Sequence, residues 1–194
     1  MKKVLLSSFL ILLSTLGVFA YETVIIKYPE GELWNKSYYK KVGNEAILQY
    51  LPAGETPQDW KRSIVVHSYY DTAMPINYFI NTELLRMKKV NPNGNYRYLK
   101  ITPVDSMATR CTEDYKDVKG QCEFYRVTNA HNGIISLHYI NRDKEDFKEN
   151  YRQWYDIIKR AKFYNTYYRD ERTLDKSEYF ELWYKMIIDL VLHK

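Results

Sequence analysis

Apolar residues are spaced along this chain in three ways, and each spacing predicts a different element. Short β-branched and aromatic runs bounded by turn residues predict strands. Thr23-Val24-Ile25-Ile26 is the first, and Pro29-Glu30-Gly31 ends it. Ala46 to Leu51 and Ser63 to Tyr70 are the next two, separated by Pro52-Ala53-Gly54-Glu55-Thr56-Pro57, which reads as a turn. Between Leu33 and Gly43 the chain is polar and aromatic, with no period that selects an element. Tyr96 to Val104 reads as a further strand. Glu123 to Thr128 and Ile134 to Ile140 flank Asn129-Ala130-His131-Asn132-Gly133, whose terminal Asn-Gly predicts an antiparallel hairpin.

The second spacing is three or four residues, the repeat of one helical face. Ile76, Phe79, Ile80, Leu84 and Met87 follow it, with Pro75 in the first turn, Asp71 or Thr72 as the expected cap, and Asn91-Pro92-Asn93-Gly94 as the stop. Phe147, Tyr151, Trp154, Ile158 and Ala161 follow it too, behind Asp143 as N-cap and an acidic first turn. A last helix is predicted from about Leu174 to the end, opened by Asp175 and Glu178. Strands joined by hairpin-type links, followed by amphipathic helices, predict an α+β fold. The expected architecture is an antiparallel β-sheet covered by amphipathic helices, with an extra C-terminal helix.

The third spacing is no spacing. Lys2 and Lys3 precede a nearly unbroken apolar run from Val4 to Phe19, which ends Val18-Phe19-Ala20. This predicts a secretory signal peptide over residues 1–20, cut between Ala20 and Tyr21. A single α+β domain over 21–194 then remains, working in the periplasm or outside the cell. Tyr21 is not a cysteine, which argues against a lipid-anchored N-terminus.

Composition changes this picture in two places. Lys2 and Lys3 are two of the 29 basic residues, so 27 stand against 24 acids after cleavage. That balance and the absence of any polybasic run argue against nucleic acid. No apolar stretch after the signal is long enough to predict a transmembrane span. Tyrosine is abundant, at 20 residues, all of them after the signal. Tyrosine suits half-buried sheet faces and contact surfaces, although AT-rich coding DNA also enriches tyrosine alongside Lys, Asn and Ile.

The two cysteines, Cys111 and Cys122, enclose a polar ten-residue loop. In an oxidising compartment such a pair predicts a disulfide that pins this loop. No other Cys or His lies at metal-binding spacing, and no cofactor is called for. No G-x-S-x-G elbow and no glycine-rich phosphate loop occurs. His67 and His138 each fall inside a predicted strand. If those strands are neighbours, the two imidazoles share a sheet face, and Asp71 or Glu123 can join them as an acid–base pair or metal site. Asn35-Lys36-Ser37 matches a glycosylation pattern that matters only in a eukaryotic secretory pathway.

The C-terminal segment is more apolar than one buried helix face requires. Tyr179, Phe180, Trp183, Ile187, Leu190 and Val191 are candidate interface residues, for a protein partner or for self-association, with Glu181, Lys185 and Asp189 on one narrow stripe.

Tyr50-Leu51-Pro52-Ala53-Gly54-Glu55-Thr56, then Trp60 and Ile64-Val65-Val66, resembles a pattern of uncharacterised exported bacterial proteins. The segment from Asn132 through Trp154 to Ala161-Lys162 is similar to the hairpin-plus-helix ending of the same group, and the layout resembles the PsbP/DcrB-like α/β sandwich. The resemblance implies that fold and an exported accessory role. It carries over no catalytic residue. The expected function is an exported, non-enzymatic binding protein acting through aromatic contacts. The alternative is a small secreted hydrolase with its site near His67 and His138.

Overall fold

The chain forms two antiparallel meanders that meet along one seam. The structure, a computed structural model, describes residues 22–130 and 133–165. Its elements are β1 (Glu22–Ile25), β2 (Trp34–Val42), β3 (Glu45–Pro52), β4 (Arg62–Tyr70), α1 (Ile76–Val90), β5 (Asn95–Lys100), β6 (Asp105–Cys111), β7 (Cys122–Ala130), β8 (Gly133–Asn141), α2 (Lys144–Glu149), α3 (Tyr151–Arg160) and β9 (Lys162–Asn165). The main sheet runs β2-β3-β4-β8-β7-β6-β5, and every neighbouring pair in it is antiparallel. β1 and β9 form a separate two-stranded antiparallel sheet. The fold is thus mostly antiparallel sheet with a few helices, within the α+β class. The expected signal segment with its Ala20–Tyr21 cut, and the expected C-terminal helix with Tyr179, Phe180, Trp183, Ile187, Leu190 and Val191, lie outside the described residues.

The hairpin predicted at Asn132-Gly133 is present as β7 and β8. Gly133 has φ 147°, and a Cβ there would lie 1.9 Å from the Tyr69 carbonyl oxygen. A glycine is therefore required where the end of β4 closes on the start of β8. The Cys111–Cys122 disulfide is formed, and its two residues lie directly opposite each other across β6 and β7. It does not hang from a loop beyond the core, because Cys122 is itself buried among core residues.

Side chains alternate between two sheet faces. On the first face Ile64, Val66, Phe124, Ile135, Leu137 and Tyr139 meet Phe147, Trp154 and Ile158 of α2 and α3. Trp154 stacks on Tyr139 with ring centroids 3.8 Å apart and meets the Trp34 ring edge-on at 5.5 Å. Tyr28 stacks on Trp34, so one aromatic column ties the chain before β2 to β8 and α3. On the second face Ile76, Phe79, Ile80 and Leu84 of α1 meet Ala108, Tyr125, Val127 and Ile134.

Several sequence expectations need correction. The stretch without a period is β2, whose residues are mostly exposed on both faces, so no alternation marks it. The strand expected over Tyr96 to Val104 stops at Lys100. Pro103 has no N–H for a ladder, and Thr102 turns the chain by donating to the Asp105 carbonyl and accepting from the Asp105 amide. Neither Asp71 nor Thr72 caps α1. The N-cap is Pro75, whose carbonyl accepts from Tyr78 and Phe79, while the Ile76 amide donates to Pro103. Thr72 is occupied with the Tyr70 carbonyl. The helix after Asp143 is divided at Asn150, whose side-chain amide bonds the backbone and side chain of Asp146. Asp143 itself caps as expected, accepting from the amides of Glu145 and Asp146. The end of α3 is held from outside, since the Arg126 Nη1 donates to the carbonyls of Ile158, Lys159 and Ala161 at 2.8–3.0 Å.

Replacing Trp154 with alanine removes the centre of the aromatic column from a fully buried site. It is expected to lower stability by about 3–5 kcal/mol in urea unfolding; a loss below about 1 kcal/mol would show that the column carries little of the fold.

Candidate functional site

The seam between β4 and β8 decides where the two histidines lie. His67 is opposite Ser136, and Val65 is opposite His138. His67 and His138 are thus diagonal neighbours on the second face. Ser136 is buried between them, and its Oγ lies 3.0 Å from the His138 Nε2. His138 stacks on Tyr125, and His67 stacks on Tyr69.

Each imidazole has its own carboxylate. The His67 Nε2 lies 3.1 Å from Glu45 on β3. The His138 Nδ1 lies 3.7 Å from Oε1 of Glu123, the directly buried carboxylate of the site. Of the two acids expected from the sequence, Glu123 is brought to the site and Asp71 is not. Asp71 lies past the end of β4 in a left-handed backbone conformation, φ 56°. Glu45 stands beside His67 instead.

Glu123 is held by charge. Arg110 donates from Nη2 to Oε2 at 2.9 Å, and its Nε lies 2.9 Å from Oε1 without pointing its hydrogen at that oxygen. Burial alone would raise the Glu123 pKa, but the Arg110 guanidinium and His138 outweigh it and bring the carboxyl down to about 2. Burial pulls His67 below its ordinary 6.5 despite the opposing pull of Glu45. Tyr125 is buried, its pKa is raised by that burial, and its hydroxyl has no hydrogen-bond partner among the described residues.

Three members of this cluster, Glu45, Ser136 and Arg110, were missed in the sequence, and the last two had a signal. Ser136 is two residues from His138 on one strand, so the period of a strand puts both on one face. Arg110 and Glu123 flank the two cysteines; once Cys111 and Cys122 are opposite, Arg110 and Glu123 must be opposite as well.

The Glu123 carboxylate, the His138 imidazole and the Ser136 hydroxyl stand in the order of a relay. With Nδ1–H toward Glu123, the His138 Nε2 is the acceptor that competes with the His67 carbonyl for the Ser136 hydroxyl proton, an order that matches the nucleophile, base and orienting acid of acyl transfer. Its surroundings oppose that use. Ser136 is fully buried, and β8 is laddered on both sides, so its amides are committed to β4 and β7 and supply no oxyanion site. Among the described residues no group of three or more His, Cys, Asp or Glu is arranged to hold a metal ion.

The same face is unevenly covered. α1 lies over β6 and β7, while Ile47, Gln49, Val65, His67, Tyr69, His138 and Ile140 remain half-buried. Beside the first face, a cavity of about 440 Å³ borders the disulfide loop and the start of α2. Lys61, Arg142 and Lys144 line it together with Asp114, Asp143 and Glu145, so its charges balance and it selects no ion.

Comparison of the chain with protein-family models, curated proteins and solved structures returned no match. No helix among the described residues is long and apolar enough to cross a membrane.

Glu123→Gln leaves the Arg110 guanidinium facing a neutral side chain and is expected to cost about 3 kcal/mol at pH 7. The Glu123 carboxyl is lowered on folding, so its stabilisation is complete above its ordinary 4.5 and is lost as pH falls toward 2. His67 is also lowered on folding, so its share is complete above 6.5 and declines as acid protonates it. Urea unfolding from pH 7 to pH 2.5 should show stability falling throughout, with the slope below pH 4.5 reduced in Glu123→Gln. An unchanged acid slope would show that Glu123 is not the group responsible.

Proposed function

We propose that this protein is an exported, non-enzymatic binding protein whose contact surface is the half-covered second face of the sheet around β3, β4 and β8. The observation that carries this reading is the uneven cover of that face. Ile47, Val65 and Ile140 are apolar, and they surround His67, Tyr69 and His138 without being sealed by α1. Such a surface gains free energy when a partner excludes water from it. The ion-paired floor of Arg110 and Glu123 supplies charge that orients without titrating near neutral pH. Export is supported by the apolar N-terminal segment and by the disulfide, which suits an oxidising compartment. The helices on the sheet and the apolar C-terminal segment belong to the same reading, the latter as a second contact surface inferred from its residues alone.

The test is site-specific cross-linking in the producing cells. A photoreactive phenylalanine analogue in place of Val65 is expected to give a discrete covalent adduct. The same analogue in place of Lys116, on the disulfide loop, is expected to give none. No adduct from position 65, or equal adducts from both, overturns the binding face. Recovery of the protein from the extracytoplasmic fraction with Tyr21 as its first residue tests export, and an uncleaved cytoplasmic product overturns it.

One observation favours a second reading, a small secreted hydrolase. The Ser136, His138 and Glu123 side chains stand in relay order. A fluorophosphonate probe that labels Ser136 in the native protein, with label and esterase activity both lost in Ser136→Ala, would establish that reading; no labelling would remove it.

A further inference from the structure

We propose that edge strand β2 accepts an extended, acidic polypeptide segment as an eighth strand of the main sheet. The inference rests on the binding reading above and adds a second, adjoining surface and a partner chemistry. β2 is the terminal strand of the sheet, and among the described residues it pairs only with β3. It is nine residues long against six for β5 at the opposite edge. An edge of that length presents unpaired backbone donors and acceptors, the template for strand addition.

The side chains of β2 select what can pair there. Lys36, Lys40 and Lys41 are exposed, and none forms an ion pair among the described residues. Lys40 lies on the second face, and Lys36 and Lys41 on the first, so a strand added at the edge meets positive charge on both sides of the sheet. The amines are held near the sheet, Lys36 over the Tyr39 ring at 5.3 Å and Lys41 over the Tyr70 ring at 4.9 Å. Tyr38 and Tyr39 are 43% and 47% exposed, one on each face, and offer apolar flanks to an incoming side chain.

These same lysines decide against a second copy of the chain. An antiparallel β2–β2 pairing would bring lysine against lysine, and like charges directly opposite destabilise a ladder. The register irregularity between Lys36 and Tyr38 further disfavours indefinite edge-to-edge growth. A segment carrying Glu or Asp at alternate or adjacent positions reverses the sign of every such contact. It would draw its specificity from charge and its geometry from backbone hydrogen bonds.

The test titrates the intact protein with a synthetic nonapeptide of alternating glutamate and threonine, read by fluorescence anisotropy and by amide chemical shifts. Two further peptides are compared with it, one with lysine in place of glutamate and one with alternate amides N-methylated, which keeps the charge and removes the edge hydrogen bonds. The acidic peptide is expected to bind at least about tenfold tighter than either, with shifts concentrated in residues 34–42. The triple variant Lys36→Glu, Lys40→Glu, Lys41→Glu, on an exposed strand, is expected to fold and to reverse the preference toward the lysine peptide. Equal binding of the acidic and N-methylated peptides would overturn strand addition. Equal binding of the acidic and basic peptides, or no binding at millimolar peptide, would overturn the partner chemistry. Cross-linking at Val65 reports on the sheet face and not on this edge, so failure here with an adduct there removes the strand-addition inference alone.

Discussion

The fold depends on the pairing of β4 with β8. Every other pairing in the main sheet joins strands adjacent in sequence, within β2-β3-β4 or within β5-β6-β7-β8. The β4–β8 ladder joins those two meanders through nine residue pairs, from Arg62 with Asn141 to Tyr70 with Gly133. Its contacts span some seventy residues of chain, so their loop-closure cost is the largest in the sheet. Its reward is also large, because it aligns Ile64 and Val66 with Leu137 and Tyr139 on the first face and brings the Trp154 column within reach. Gly133 sits at one end of this seam, where only a residue without a Cβ lets the Tyr69 carbonyl approach.

That one seam also creates the polar cluster. His67 and His138 are neighbours only because β4 lies beside β8, and Glu123 reaches His138 only because β7 lies on the other side of β8. The sheet then solves a difficulty of its own making. A carboxylate buried in a sheet face costs several kcal/mol unless it is paired, and Arg110 is delivered to it by the register that the Cys111–Cys122 pair enforces one position away. The disulfide on one face and the ion pair on the other are consequences of the same alignment of β6 with β7.

How far the sequence can be read follows from the same physics. The hairpin at Gly133, the α1 stripe from Ile76 to Leu84 and the Asp143 cap are local signals, and they were legible because each concerns residues a few positions apart. β2 was not legible, because an edge strand exposed on both sides carries no alternation. The breaks at Thr102–Pro103 and Asn150 were obscured by apolar residues that continue the expected period past the point where the backbone turns. For the site, strand parity placed His67 and His138 on a face each, but it could not say that the two faces were one. Adjacency of β4 and β8 is a long-range fact. Arg110 was within reach of inference, since opposed cysteines at 111 and 122 imply opposed residues at 110 and 123.

On the proposed binding reading, the buried cluster and the exposed edge separate two tasks. Groups at the centre of the sheet are buried and held: Glu123 is ion-paired with Arg110, and Ser136 is closed off from solvent. Such groups resist change between free and bound states, and they keep the half-covered face in one shape for whatever meets it. At the margin the arrangement is the opposite. Lys36, Lys40 and Lys41 are exposed and carry charge without a carboxylate partner among the described residues. A sheet with a neutralised interior and a uniformly positive edge repels its own copies through that edge, while its unmatched backbone groups still favour an added strand. Charge of the opposite sign relieves the repulsion and leaves the backbone groups free to pair, so on the proposed reading the edge would select by chemistry and the face by shape.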